Sequence, residues 1–321
     1  ELNGRTDLLE VLERLDCEHA ARFNFDRLLY RVEPQEEPEL EEGDGMYRDS
    51  IIDTQIIEQA GELFEQGEGE VSVEGLHLTN CDGPVGARTA FELESKLQAS
   101  GKQWNGRFTA NFQGTGAQHF GALLGRNLTF VLSGAANSFV GEGASEQATI
   151  VVRRPEECAL PRSALIALHG AFYGAMGGRG FFEGRVGNRL AAANHGSTVV
   201  VEGCGDYACQ SMSKGRVVVL GESGDQFGSG MTGGEALVYS PDGSILDRLN
   251  GDYVQAAPLS EEAKAETLRQ LLLEHRQLTG SDVAMELLTQ CDAQKGNFYG
   301  VTPKKKAKVA LEVIQKADIA V

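Results

Sequence analysis

Five side chains of this sequence are of the types that bind metals or run nucleophilic chemistry and fall in one glycine-rich stretch: His119, His169, His195, Cys204 and Cys209. Metal binding would need them at short, set spacings. Cys204 and Cys209 are separated as C-x4-C, not as the C-x2-C of a zinc site or redox pair. The three histidines have no partner at metal-type spacing and read as packed or capping residues. Nucleophilic catalysis finds no G-x-S-x-G elbow, and no base stands beside Cys204. "GTGAQHFG" (114–121) opens like a phosphate loop, but Gly121 lies five residues beyond Gly116 instead of three, and no helix fits before the next strand. No G-x4-G-K-[S/T] occurs. These tests assign no catalytic, cofactor-binding or metal-binding residue. The six cysteines (17, 81, 158, 204, 209 and 291) read as reduced thiols, mostly in the core of a cytoplasmic protein.

The elements around these residues repeat. "VVVEGCGDYACQSMSKGRVVVLGESGDQFGSGMTGG" (199–234) says nearly the same thing twice: three valines, then a glycine-spotted loop. Short β-branched strands are expected at 70–78, 128–134, 149–152, 164–170, 180–184, 198–203, 216–221 and 235–240. Several close on glycine. The steps Gly114–Gly134, Gly184–Gly203 and Gly203–Gly221 are 20, 19 and 18 residues, and Gly134–Gly170 reads as two repeats of 18. A leucine-rich repeat lacks its L-x-x-L-x-L frame here, and a propeller blade needs about 40 residues. A right-handed parallel β-helix fits, with Val199–Val201 and Val217–Val219 on neighbouring rungs and Gly203 and Gly221 at left-handed corners. Six or seven coils would form a rod roughly 30 Å long.

The repeat region spans 67–257. Residues 1–66 form a helical lead-in, with helices at 7–15 and 49–64 and an exposed acidic linker at 33–45; residues 258–321 are helical again, with Ser260 as N-cap and Gly280 as stop. The 40 glycines demand many tight corners. With 47 acids against 29 bases the formal net charge is −18, which disfavours nucleic acid. The one basic run, Lys304-Lys305-Lys306, reads as a solvated helix start. Nothing resembles a signal peptide or a membrane span.

Several stretches resemble a known family: "VGART" (85–89) after "TNCDG", "GTGAQHFGALL" (114–124), "GAANSFVGEG" (134–143), "FYGAMGG" (172–178), "GRVGNRLAAANHGS" (184–197) and the two repeats from 199 to 234. Together they resemble the G-x-G-x-G β-helix at the carboxyl end of the glutamate synthase large subunit. "NGRTDLL" (3–9) looks like the segment after that enzyme's flavin barrel, and "LLLEHRQLTGS" (271–281) like its C-terminal helix. The module also resembles a subunit of N-methylglutamate synthase and, more remotely, one of formylmethanofuran dehydrogenase. The resemblance implies a non-catalytic scaffold that holds a glutamine amidotransferase domain and an FMN-binding synthase domain, fused or separate. The FMN and an iron–sulfur cluster would be expected in those partners and no cofactor in this chain. Consistent with that division, the sequence has no N-terminal cysteine nucleophile, no barrel-length β/α array and no cluster-type cysteine triplet; as it also lacks a start methionine, a piece of a longer polypeptide is one expectation, a stand-alone subunit the other. Ala135, Ser138, Glu142, "SEQ" (145–147) and Ala208 depart from the family pattern at expected corners and surfaces, where partners would dock.

Two other readings compete. One is a scaffold for a related oxidoreductase complex. The other is a free-standing enzyme with a carbohydrate-type site, which would need exposed aromatic rows; 7% aromatics and the single Trp104 argue against it.

Overall fold

A computed structural model describes residues 51–155, 161, 163–289 and 295–304. The helix expected at 7–15 and the linker at 33–45 lie outside the described residues. Helix α1 (Ile51–Gln66) leads into strand β1 (Glu70–Leu78), helix α2 (Ala87–Ser100) and strands β2 (Arg107–Gly116), β3 (Leu128–Ala136) and β4 (Thr149–Arg153). Then come β5 (Leu165–Ala167), β6 (Arg179–Phe182), β7 (Arg185–Val186), β8 (His195–Val201), β9 (Lys214–Val219) and β10 (Glu235–Tyr239). The short α3 (Ile245–Arg248), β11 (Val254–Pro258), α4 (Glu262–Thr279), α5 (Asp282–Thr289) and β12 (Phe298–Pro303) complete the order.

The chain is mainly β and winds into a solenoid of about six turns. Its principal sheet runs β1-β2-β3-β4-β6-β8-β9-β10, each pair parallel. The valine runs sit on neighbouring rungs in the expected register, Val199 opposite Val217, Val200 opposite Val218 and Val201 opposite Val219. Val199 and Val201 face the interior cluster; Val200 faces outward, where α4 and α5 cover it with Leu268, Leu271, Leu272 and Leu287. A strand buried on both faces reads as an unbroken apolar run, which is why the triplets do not alternate. At one end β12 pairs antiparallel with β10 and β11 pairs antiparallel with β12, so the parallel stack stops there.

The structure corrects four details of the repeat. Gly134 and Gly170 are not equivalent positions two coils apart. Gly134 pairs with Gly114 inside the sheet, while the step from β4 to β6 is one long coil of 30 residues, Thr149 to Arg179. Gly203 has φ 155°, as a left-handed corner requires, but Gly221 does not; glycine is needed there because a Cβ would press on the Glu202 carbonyl oxygen. Helix α2 and strand β2 were not anticipated. Ser260 does not cap α4: Glu261 is the N-cap and no side chain caps it, although Gly280 ends the helix in the left-handed conformation as expected.

Candidate functional site at the left-handed corner

Each turn of the solenoid rounds one corner with three alternate residues at positive φ. In order along the rod these triplets are His119, Gly121, Leu123; Phe139, Gly141, Gly143; Gly170, Phe172, Gly174; Arg189, Ala191, Ala193; Tyr207, Cys209, Ser211; and Gln226, Gly228, Gly230. The spacing i, i+2, i+4 is the physical content of a G-x-G-x-G pattern. Side chains other than glycine hold many of these positions at a cost of about 1–2 kcal/mol each, which persists only where the surroundings over-determine the backbone.

Hydrogen bonding between coils supplies that constraint. The N–H groups of His119, Phe139, Gly170, Arg189 and Tyr207 donate to carbonyls of the following coil, and those of Gly141, Phe172, Ala191, Cys209 and Gly228 to the preceding one, at 2.7–3.0 Å. Successive amides in alternating conformations could cradle an anion, but these are committed to neighbouring coils.

A second ladder runs beside the first through side chains. Ser138 Oγ accepts the His169 N–H at 3.4 Å, His169 Nδ1 accepts the Asn188 N–H at 3.0 Å, Asn188 Oδ1 accepts the Asp206 N–H at 3.0 Å, and Asp206 Oδ1 accepts the Asp225 N–H at 2.9 Å. His169 is therefore a capping residue in its Nε2–H tautomer. His195 Nδ1 meets Ser213 Oγ at 2.6 Å. His119 Nδ1 lies 2.7 Å from Glu142 Oε2, and its ring stacks on Phe139 at 5.3 Å. Glu142 and Ser138 thus have local partners, and Ala208 is buried without a left-handed backbone, so these departures fit the corner. Among the described residues, no group of three or more His, Cys, Asp or Glu side chains could hold a metal ion.

Cys204 and Cys209 are buried in the rod interior. Burial pushes the Cys204 thiol up to about 12 and the Cys209 thiol well above its usual value, so neither is a thiolate at neutral pH. Cys81 is the exposed one of the three cysteines among the described residues. Peptide mapping after brief iodoacetamide treatment of the native chain is expected to find Cys81 alkylated and Cys204 and Cys209 untouched. Equal labelling of all three would show that the rod interior opens.

Sequence reasoning missed a buried Ser–His–Glu cluster under the C-terminal helices. His275 of α4 stacks on Phe181 at 6.1 Å, and its Nε2 lies 3.5 Å from Glu202 Oε1 without making a hydrogen bond. Ser281 Oγ donates to Glu202 Oε1 and accepts the Ala284 N–H at 3.0 Å, capping α5. His275 and Ser281 are fully buried and the Glu202 side chain is 5% exposed. Nearby, burial pushes the Glu183 carboxyl up, and the Glu202 charge adds to it. Catalysis would need the histidine hydrogen-bonded to the serine. Here the serine bonds the glutamate instead, and all three side chains are buried, so the cluster is a packing seam.

A family model described as the GXGXG motif matches residues 53–304. The chain belongs to the GXGXG family. Among its relatives, the NADPH glutamate synthase large chain of Bacillus subtilis is 32% identical over 95% of this chain and 20% of its own length. The corresponding large chain of Azospirillum brasilense is 34% identical over 95% of this chain and 20% of its own. Ferredoxin-dependent glutamate synthase 2 of Synechocystis is 29% identical over 94% and 19%. The chain thus spans about a fifth of the length of these relatives. Within this GXGXG chain, no helix among the described residues is long and apolar enough to cross a membrane.

Proposed function

We propose that this chain is the scaffold portion of a glutamate synthase-type enzyme, holding an amidotransferase portion, which frees ammonia from glutamine, against an FMN-binding synthase portion, which uses it with 2-oxoglutarate to make glutamate. FMN and an iron–sulfur cluster belong to those portions in this reading, and the assembly is cytoplasmic. The observation that carries it is the pairing of a match along 95% of this chain, to a fifth of a glutamate synthase large chain, with a corner whose polar backbone groups are committed to other coils. Such a corner builds a rigid rod, and a rod offers its ends and outer faces to other domains.

Reconstitution tests this. Purified alone, the chain is expected to elute colourless and to release no ammonia from glutamine above blank. Mixed with amidotransferase and synthase portions at micromolar concentration, it is expected to co-elute with both. A flavin retained through gel filtration, or elution apart from both portions, overturns the reading.

A further inference from the structure

The parallel stack ends at β10. A cavity of about 400 Å³ opens there, between the turns that follow β9 and β10 and the short helix α3. That size suits a small molecule. Leu220, Val238 and Ile245 form its apolar side, each at most 3% exposed. Its polar side holds one cation, Arg248 of α3, and two exposed acids, Asp242 and Glu222.

Two groups in this cavity have hydrogen-bonding capacity that the described residues leave unspent. Arg248 is half-buried, and the Phe227 N–H donates to its carbonyl at 3.0 Å, which ties it to the coil beneath. Its guanidinium gives one N–H to the Ser223 carbonyl, and among the described residues no carboxylate pairs with it. The other N–H groups remain to be used. Ser223 is 4% exposed and lines the cavity, and among the described residues its hydroxyl has no hydrogen-bond partner. Buried hydroxyls are ordinarily hydrogen-bonded, so this one points to a ligand that completes the bond.

The carboxylate of Asp242 is built to stay charged. The Ser244 N–H at 3.1 Å, Ser244 Oγ at 2.8 Å and Ser240 Oγ at 3.2 Å all donate to its Oδ1. These bonds, that of the Ser244 N–H first, hold the Asp242 carboxyl below the usual carboxylate range and leave Oδ2 open.

We infer that this cavity binds a small zwitterion, an α-amino acid with an apolar side chain. The carboxylate of the ligand lies on the Arg248 guanidinium and the Ser223 hydroxyl. Its ammonium faces Asp242, with Glu222 at the rim, and its side chain rests on Leu220, Val238 and Ile245. A guanidinium presents N–H groups in the fork that a carboxylate fits. A simple anion would meet two carboxylates here and a simple cation would meet Arg248, so the ligand needs both charges. The site consists of residues of this chain and stands independently of the scaffold reading.

Isothermal titration of the whole chain tests this with L-leucine and two analogues of the same skeleton: 3-methylbutylamine, which lacks the carboxylate, and 4-methylpentanoate, which lacks the ammonium. L-Leucine is expected to bind saturably at one site with Kd below about 1 mM, and each analogue about tenfold more weakly or less. Ser223→Ala removes a hydroxyl without a partner, and Asp242→Asn keeps an acceptor for the two serines. Both should therefore melt within a few degrees of the wild type while binding L-leucine about fivefold more weakly or less. Arg248→Gln should abolish binding, and Asp225→Asn, outside the cavity, should leave it unchanged. A wild-type chain that takes up no L-leucine at about 10 mM overturns the inference. So does binding that Ser223→Ala and Asp242→Asn both retain in full, which would put the ligand elsewhere on the chain. An analogue that binds as tightly as L-leucine overturns it too, because one charge would then suffice.

Discussion

Gly134→Ala is expected to destabilise the protein by about 3 kcal/mol or more, while Gly174→Ala costs about 1 kcal/mol. Both glycines sit in the repeat, and by sequence they look interchangeable. Gly134 does not have a left-handed backbone, so its requirement is purely one of space. It lies opposite Gly114 in the ladder between β2 and β3, and an added Cβ would sit inside the van der Waals surface of the Gly114 carbonyl oxygen. Backbone cannot swing away as a side chain would, so the rungs must separate. Gly174 is the reverse case: φ is 62° and nothing lies within 4 Å of an added Cβ. Only the left-handed penalty applies to it, and Ala193 already occupies the same corner position one coil later at φ 52°. Urea denaturation of the two variants decides. Equal losses would mean that backbone conformation, not the closeness of coils, sets the need for glycine here.

The two glycines show what a sequence can convey about this fold. Regular valine strands and glycine spacing reveal the solenoid because stacking forces like residues onto like residues, as Val199 and Val217 illustrate. The alternate left-handed positions are hidden, since coil-to-coil hydrogen bonds let His119, Phe139, Arg189 and Tyr207 stand where glycine would be the signal. Strand β2 leaves a faint signal: Phe108, Ala110 and Phe112 alternate inward, but polar neighbours dilute the run. Helix α2 was not legible. Its N-cap is Gly86, with no side-chain cap of its own, and the Gly86 and Thr89 N–H groups are held instead by the buried carboxylate of Asp53 in α1, 33 and 36 residues away. A cap supplied from another helix leaves no local motif. The Glu202–His275–Ser281 seam is invisible for the same reason: Ser281 lies 79 residues from Glu202, and only the pair His275 and Ser281 is near in sequence.

That seam carries the second large effect. Ser281→Ala is expected to cost about 2–4 kcal/mol, because the hydroxyl does two things at once. As N-cap of α5 it accepts the Ala284 N–H at 3.0 Å, which is worth about 1 kcal/mol. As a donor to Glu202 Oε1 it satisfies a carboxylate whose side chain is only 5% exposed, and stranding a buried charged acceptor costs about 1–3 kcal/mol more. His275 does not take over, for its Nε2 stands 3.5 Å away without hydrogen-bond geometry. The two roles separate in a double-mutant cycle with Glu202→Gln, which keeps the shape and removes the charge. In that background Ser281→Ala forfeits the cap and a neutral hydrogen bond, so its cost should shrink to about 1–2 kcal/mol. The seam joins α5 to the outward face of the sheet, so the loss should appear as looser docking of α4 and α5: amide protons of α5 exchange faster in Ser281→Ala while those of β2 and β3 keep their protection. If Ser281→Ala costs the same in the wild type and in the Glu202→Gln background, the hydroxyl is an ordinary cap and the buried carboxylate is satisfied some other way.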